Sequence, residues 1–259
     1  MYLKELEIAR NAAVLAGRAI MEVYESGDFG IEAKADDSPL TLADKAANRI
    51  IVDILKKEFP DYAILSEEEQ DDLSRLDNDL CFIVDPLDGT KEFIKRNGQF
   101  TVNIALSYKH KTVMGVIYVP VTGEMYYAAQ GLGSFMEHNG NTFGIHVSSD
   151  KKEKSEIRVV MSNSHGAEQM DALIKKYGIV NHVKVGSSLK GCMIARGDAD
   201  VYYRYGPTME WDTAAMQCIV EEAGGVLKQM DDTEMLYNRK DSLNAKGFYI
   251  LNDIDNKLD

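Results

Sequence analysis

The sequence predicts an α/β protein in two halves, and three observations carry that expectation. From residue 157 to residue 229, short apolar runs alternate with helical periodicity, the pattern of an α/β unit. Between residues 99 and 147, strand-like runs follow one another as hairpins, with Asn139-Gly140 a clear turn signal. Earlier still, Leu80-Cys-Phe-Ile-Val84 is apolar throughout and bounded by charge, as expected of a strand covered on both faces. The polar stretch Ser148-Ser-Asp-Lys-Lys-Glu-Lys-Ser155 is the expected boundary. It separates an α+β half over 1–150, with an antiparallel sheet, from an α/β half over 151–259.

A chain of 259 residues with 45% hydrophobic residues can build a substantial core. No run of about 18 apolar residues occurs, and Met1-Tyr-Leu-Lys-Glu-Leu-Glu7 lacks the basic-then-apolar order of a signal peptide. The expectation is a cytoplasmic protein with no integral membrane segment. A formal net charge of −13 argues against nucleic acid or an anionic membrane as partner, because long-range repulsion opposes the encounter. A small polyanion stays open if a metal and local basic residues overcome that field. Cys81, Cys192 and Cys218 are widely spaced in apolar runs, which suits packed thiols rather than disulfides or a zinc site. Arg196 follows Cys192 too soon for a Cys-x₅-Arg phosphatase loop.

Within residues 1–25, Ile8, Ala9, Ala12, Ala16, Ile20, Val23 and Tyr24 form one stripe, predicting an amphipathic helix. A polar loop from Lys34 runs into a second helix whose stripe is Ala47, Ile50, Ile51, Ile54 and Leu55. Thr41 is a good N-cap, and Asp44 three residues on suits either a capping box or a carboxylate aimed at a metal-held water. A strand at 62–66 then ends in Glu67-Glu68-Glu69, and strand ends are where α/β proteins place their chemistry. Glu68 and Glu69 are expected on a solvated face. Glu67 shares an edge with Asp85 if strands 62–66 and 80–84 are neighbours.

Asp85-Pro-Leu-Asp-Gly-Thr90 is the densest chemical motif. Pro86 removes a backbone donor and Gly89 permits a close turn. Asp85, the Leu87 carbonyl, Asp88 and the Thr90 hydroxyl can therefore face one small volume. Two carboxylates this close repel unless something positive sits between them, and Mg²⁺, with oxygen ligands at about 2.0–2.1 Å, fits four oxygens in six residues. Asp, Pro and Gly are also ordinary turn residues, so a plain surface turn satisfies the same stretch. Residues 91–98 suggest an exposed basic loop, followed by strands at 100–107, 112–119 and 124–129 and shorter ones around Gly131 and Gly133.

In the second half the strands fall at 157–161, 182–185, 200–203 and 226–229, and the helices at 167–177, 188–195 and 212–223. Gly186-Ser-Ser188 opens a helix with small residues and free backbone donors, suited to phosphate with Lys190 beside it. A Ser N-cap would also account for it. Arg204 and Tyr205, just past a strand, can bring a guanidinium and an aromatic face to a ligand. His165, in Ser162-Asn-Ser-His-Gly166, suits a loop. Asp212, in Trp211-Asp-Thr-Ala-Ala215, starts a helix, where the dipole favours its charge with or without a metal.

Glu67, Asp85-Pro-Leu-Asp-Gly-Thr90 and Trp211-Asp-Thr-Ala-Ala215 together resemble the signature of the inositol monophosphatase and fructose-1,6-bisphosphatase superfamily of Mg²⁺-dependent, lithium-sensitive phosphatases. The resemblance covers nearly the whole chain. Lys34-Ala-Asp-Asp-Ser-Pro39, Gly89-Thr-Lys-Glu-Phe-Ile-Lys-Arg-Asn-Gly98, Gly186-Ser-Ser-Leu-Lys190 and Arg204-Tyr-Gly-Pro-Thr208 are similar to its 3′(2′),5′-bisphosphate nucleotidase branch. That branch removes the 3′-phosphate of adenosine 3′,5′-bisphosphate to give AMP. The resemblance implies a layered α/β/α/β/α sandwich. It implies one Mg²⁺ on Glu67, Asp85 and the Leu87 carbonyl, another on Asp85, Asp88 and Asp212, and a third, or its water, at Asp44. It implies a catalytic set of Glu67, Thr90 and Asp44, in which a water activated by metal and by the Glu67 and Thr90 pair attacks phosphorus in line. The implied partner is a small bisphosphorylated nucleotide held by Gly89, Thr90, His165, Gly186, Ser187, Ser188, Lys190, Arg204, Tyr205 and Asp212. Met209-Glu210 before Trp211 is less familiar in that pattern.

The physics agrees with such a site. Phosphate monoesters hydrolyse very slowly unaided, so a catalyst must stabilise both entering and leaving oxygens, as two metals about 3.5–4 Å apart do. An aspartyl-phosphate enzyme resembles Asp-x-Asp, whereas the spacing here is Asp-x-x-Asp. Inositol monophosphatases and sugar bisphosphatases use the same metals, but Lys91, Lys95, Arg96, Lys190 and Arg204 favour a ligand with two phosphates. A nucleotide sensor with a decayed site is the non-enzyme alternative, and the complete ligand set with Thr90 speaks against it.

Overall fold

The computed structural model describes residues 2–34, 39–149, 151–162 and 167–258, so residues 35–38 of the first loop and His165 lie outside the described residues. Helix α1 (Leu3–Ser26) buries Leu6, Ala9, Ala12, Ala13, Ala16, Gly17 and Ile20 along one stripe. A short antiparallel pair, β1 (Glu32–Ala33) and β2 (Pro39–Leu40), leads to helix α2 (Leu42–Glu58), which begins at a capping box formed by Thr41 and Asp44.

A seven-stranded sheet follows in simple chain order: β3 (Ala63–Ser66), β4 (Leu80–Asp88), β5 (Thr101–Tyr108), β6 (Lys111–Val119), β7 (Glu124–Ala129), β8 (Gly133–His138) and β9 (Asn141–Ile145). Only β3 and β4 run parallel; the remaining pairs are antiparallel, as the hairpin signals predict. Helix α3 (Thr90–Ile94) sits between β4 and β5.

The second half contributes β10 (Val159–Ser162), α4 (Ala167–Tyr177), β11 (His182–Val185), α5 (Leu189–Ala195), β12 (Val201–Arg204), β13 (Thr208–Met209), α6 (Glu210–Glu222), β14 (Val226–Gln229), β15 (Leu243–Asn244) and β16 (Phe248–Leu251). Five of these strands form a sheet in the order β11-β10-β12-β16-β14, and β13 pairs with β15.

Packing yields five layers. Helices α1 and α2 cover one face of the large sheet. Helices α5 and α6 lie on its other face and against the small sheet, whose far face carries α4. This is the α/β/α/β/α sandwich. Being enclosed from two sides, α6 buries an almost continuous run, from Thr213 to Val220, rather than a stripe. It approaches the large sheet closely enough that a Cβ on Gly115 would lie 2.4 Å from the Ala215 carbonyl oxygen. One buried cluster accordingly draws Ile83, Ala105 and Ile117 together with Ala215, Ile219 and Ile250.

The polar stretch after Ser148 is fastened to the second half by Asp200. This fully buried carboxylate accepts hydrogen bonds from Ser148, Lys152 and Arg158. Burial opposes its charge, yet those bonds outweigh it and hold the carboxyl well below its ordinary range.

Two expectations need correction, and one strand carries no signal in the sequence. Strand β4 does not stop at Val84 but stays paired with β5 through a bulge between Asp85 and Asp88. Residues 91–98 are not a plain basic loop: α3 forms there because Phe93 inserts among Tyr24, Phe29 and Phe100, with ring centroids 4.9 to 5.3 Å apart. Strand β16 was not anticipated, since Phe248–Leu251 is too short and uniformly apolar to show a period. No helix among the described residues is long and apolar enough to cross a membrane.

Candidate active site

Parallel pairing of β3 with β4 aligns Ser66 with Val84, which brings the next residues, Glu67 and Asp85, side by side at one sheet edge. The Glu67 amide donates to the Val84 carbonyl at 3.1 Å. The bulge then turns Asp88 back toward Asp85, while the Leu87 amide donates to Asp85 Oδ1 at 3.1 Å. Asp212 arrives from the other half as the third residue of α6, its Oδ2 accepting from the Met209 amide at 2.6 Å. One carboxylate oxygen from each of Asp85, Asp88 and Asp212 lies within 4.8 Å of the others. This trio is the second of the two ligand sets expected above. Glu67 stands close enough for its charge to raise the Asp85 carboxyl, which places the first set's carboxylate beside it.

Such crowding is costly without a cation. Burial, followed by the charges of Glu67, Asp88 and Asp212, pushes the Asp85 carboxyl well above its ordinary range. Burial and then Asp88 raise Asp212 to about 7, and burial also raises Glu67 and Asp44. An all-oxygen set of mutually repelling carboxylates, Asp85 buried and the others partly so, together with the Leu87 carbonyl, is the donor chemistry of Mg²⁺. The residues therefore fit the expected ion.

A pH dependence follows for the metal-free protein. A carboxyl whose folded pKa is raised binds its proton more tightly in the folded state, so its contribution is complete below the unfolded value of about 3.9 and is lost as pH rises through the folded value. For Asp212 that window runs from about 4 to about 7. In chelator-treated protein the Tm is expected to fall between pH 5 and pH 7, and saturating Mg²⁺ or Asp212→Asn should flatten the slope. A Tm that rises or stays level over that interval in chelator would refute this view of the cluster.

Thr90, the first residue of α3, follows Gly89, whose φ of 95° lies in the left-handed region that glycine enters at no cost. The Thr90 hydroxyl donates to Asp44 Oδ1 at 3.1 Å and lies 3.4 Å from the Leu87 carbonyl oxygen. Its hydrogen-bond partner is thus Asp44, the third member of the expected catalytic set. Asp44 does cap α2, since its Oδ2 accepts from the Thr41 amide, so capping and site roles coexist on its two oxygens.

Glu67, Asp88, Gly89, Thr90, Gly186, Ser187, Ser188, Lys190, Arg204 and Asp212 line one cleft of about 230 Å³. Tyr205 does not join that lining; it stacks on Tyr203, centroids 6.1 Å apart. Ser188 occupies the N-cap position of α5 but its side chain does not cap: the hydroxyl donates to Asp88 Oδ2 at 2.7 Å and accepts from Asn103 Nδ2 at 2.9 Å. The Lys190 ammonium donates to the Ser187 carbonyl and sits 5.3 Å from the Tyr202 ring centre, so it also braces the loop it was expected to assist. Burial, then the Asp88 charge opposing it, leaves Lys190 lowered to about 8. Ser187 Oγ and Arg204 Nε are buried in the cleft without a hydrogen-bond partner among the described residues. Arg96 is turned away, stacked on Tyr24 and donating to its carbonyl.

Two contributors escaped the sequence reading. The Lys34 ammonium bridges Glu67 and Glu68, at 2.7 and 2.5 Å, so Glu68 is half-buried and paired rather than solvated. Asn103, opposite Asp85 in the β4–β5 register, reaches both Asp88 and Ser188. The only sequence signal for Asn103 is an amide inside an apolar strand.

Comparison with known proteins agrees with this geometry. Residues 2–254 match the inositol monophosphatase family. Over 246 residues the chain is 41% identical to the 3′(2′),5′-bisphosphate nucleotidase CysQ of Salmonella typhimurium, covering 94% of this chain and 96% of that protein. It is 40% identical, with the same coverage, to the protein of that name from Escherichia coli strain K12. Among solved structures, CysQ from Bacteroides thetaiotaomicron, a bacterial member of the inositol monophosphatase family, superposes with a TM-score of 0.82 at 39% identity, covering 96% of this chain and 97% of that one. The extragenic suppressor protein suhB of Bartonella henselae gives 0.81 at 27% identity, covering 96% and 94%. With its acidic trio, its layered fold and a family match that runs almost from end to end, the chain belongs to the inositol monophosphatase family.

Proposed function

We propose that this protein is a Mg²⁺-dependent 3′(2′),5′-bisphosphate nucleotidase that converts adenosine 3′,5′-bisphosphate to AMP and phosphate. The observation that carries the proposal is one cleft lined both by the carboxylates of Glu67, Asp88 and Asp212 and by Ser187, Lys190 and Arg204, with orphaned donors on Ser187 and Arg204. A metal on the carboxylates and the cationic groups beside them suit a ligand with two phosphates. The names of the relatives at about 40% identity support the same substrate.

Glu67, Asp85, the Leu87 carbonyl, Asp88 and Asp212 would hold Mg²⁺. When bound, the ion supplies charge neutralisation on the phosphate and a water that ionises near neutral pH. Thr90 Oγ, whose own proton points to Asp44, keeps its lone pairs free to accept a proton from a water beside it in the cleft. Asp44 would then take up the Thr90 proton, so that the attacking water would be relieved of its proton as its oxygen bonds to phosphorus. The 3′-oxygen then departs with the bonding pair and is protonated from solvent. Lys190 and the Gly186–Ser188 turn, with Arg204, anchor the second phosphate. A cytoplasmic location belongs to this reading, and the three buried free thiols suit a reducing compartment.

The test is phosphate release by the wild-type protein in Mg²⁺ across adenosine 3′,5′-bisphosphate, AMP, inositol 1-phosphate and fructose 1,6-bisphosphate. The bisphosphorylated nucleotide should have the largest kcat/KM. A preference for the inositol ester would replace this function with inositol monophosphatase activity, and no release from any substrate would favour a nucleotide sensor.

A further inference from the structure

Glu210, two residues before Asp212, is wholly buried, and its carboxylate faces neither the cleft nor solvent. Its Oε2 accepts from the Asn238 amide at 2.6 Å and its Oε1 from the Arg239 amide at 3.0 Å, with Arg239 Nε 3.1 Å from Oε1. Its own amide donates to the Ser242 carbonyl. Arg239 continues to Asn244 Oδ1 at 2.6 Å, and Asn244 returns to the Met209 carbonyl at 2.8 Å. Residues 238–244 thus wrap the first turn of α6.

That wrap is fastened from the opposite half. Arg75, in the 3₁₀ turn Ser74–Asp77 between β3 and β4, is buried and donates to Asn238 Oδ1 and to the Arg239 carbonyl, both at 2.8 Å. Asn238 Nδ2 in turn donates to the carbonyls of Arg75 and Asn78. The connection between the two strands that deliver Glu67 and Asp85 is therefore joined, through Asn238, Arg239 and Glu210, to the helix turn that delivers Asp212. A buried carboxylate and a buried guanidinium are expensive unless fully satisfied, so both residues hold one geometry rather than several.

We propose that Glu210 and Arg75 are positioning residues that hold Asp212 in register with Asp85 and Asp88 across the two halves. They set the affinity of the site for its second cation without touching cation or substrate. The proposal rests on the assignment of Asp212 as a ligand. Partners behind metal ligands typically change metal affinity by about 10–100-fold when altered.

The test measures Mn²⁺ binding, by electron paramagnetic resonance of free Mn²⁺, to the full chain and to Glu210→Gln, Arg239→Lys, Arg75→Lys, Asp212→Asn and Asp200→Asn, with Tm recorded for each. Glu210→Gln and Arg75→Lys should each weaken binding about 10–100-fold. The milder Arg239→Lys should change it in the same direction, and it serves if a core variant fails to fold. The double variant Glu210→Gln/Arg75→Lys should bind no worse than the weaker single one, because both act through residues 238–244. Asp200→Asn, far from this network in its bonding, should lower Tm with Mn²⁺ affinity intact, which separates positioning from general destabilisation. At saturating metal, kcat should recover while KM for the nucleotide stays put. Wild-type Mn²⁺ affinity in the Glu210, Arg239 and Arg75 variants, beside weakened binding in Asp212→Asn, would overturn the proposal alone. Wild-type affinity in Asp212→Asn would remove the ligand assignment and the proposal with it.

Discussion

Asp85→Asn is expected to lower kcat by about 10³–10⁴-fold, the rate equivalent of the several kcal/mol that metal charge contributes to phosphoryl transfer. Asp85 is the most buried of the cluster carboxylates and stands between Glu67 on one side and Asp88 with Asp212 on the other. Asparagine keeps its shape and the hydrogen bond from the Leu87 amide while removing the charge that both expected ligand sets share. The fold should survive. In chelator at pH 8 the variant should melt above wild type, because one of the repelling carboxylates has lost its charge. Steady-state kinetics in Mg²⁺ and calorimetry in chelator check both halves of this expectation. Retention of most of the Mg²⁺-dependent rate would show that Asp85 is not shared.

Thr90→Val should reduce kcat by about 10²–10⁴-fold, the usual range for positioned proton transfer, without altering Mn²⁺ affinity. Valine preserves the shape at the start of α3 and removes the hydroxyl between Asp44 and the cleft. Asp44 should stay in place, since Thr41 still caps α2 through its other oxygen. Asp44→Asn should give a similar loss, and the double variant should be no slower than the worse single one, as residues acting in one proton route are non-additive. Parallel losses of metal binding in Thr90→Val would make Thr90 primarily a ligand.

Both variants address a site whose parts were unequally visible in the sequence. Asp85, Asp88 and Asp212 were legible because local spacing and helix-start chemistry mark them whatever the long-range fold. The same holds for the hairpins from Thr101 to Ile145, where turn residues and strand runs alternate. What escaped depends on pairing between distant segments. Lys34 meets Glu67 only because the loop after α1 folds over the end of β3, and Asn103 meets Asp88 only through the β4–β5 register. The contact between Thr90 and Asp44 likewise depends on the start of α2 meeting the start of α3. In residues 91–98 the charges point to a loop, whereas the decisive residue is Phe93, whose partners Tyr24 and Phe29 come from distant segments. Glu210 stood out only as unfamiliar, and its meaning depends on Asn238 and Arg239, far along the chain.

The central claim is that water attacks the phosphorus of the 3′-phosphate of a bisphosphorylated nucleotide. Turnover of adenosine 3′,5′-bisphosphate in ¹⁸O-labelled water with Mg²⁺, followed by ³¹P NMR and mass analysis of both products, tests it most directly. The expected result is 5′-AMP free of label, one ¹⁸O in each inorganic phosphate, and no reaction in chelator. Release of 3′-AMP, label in the nucleoside, or turnover undiminished by chelator would contradict it.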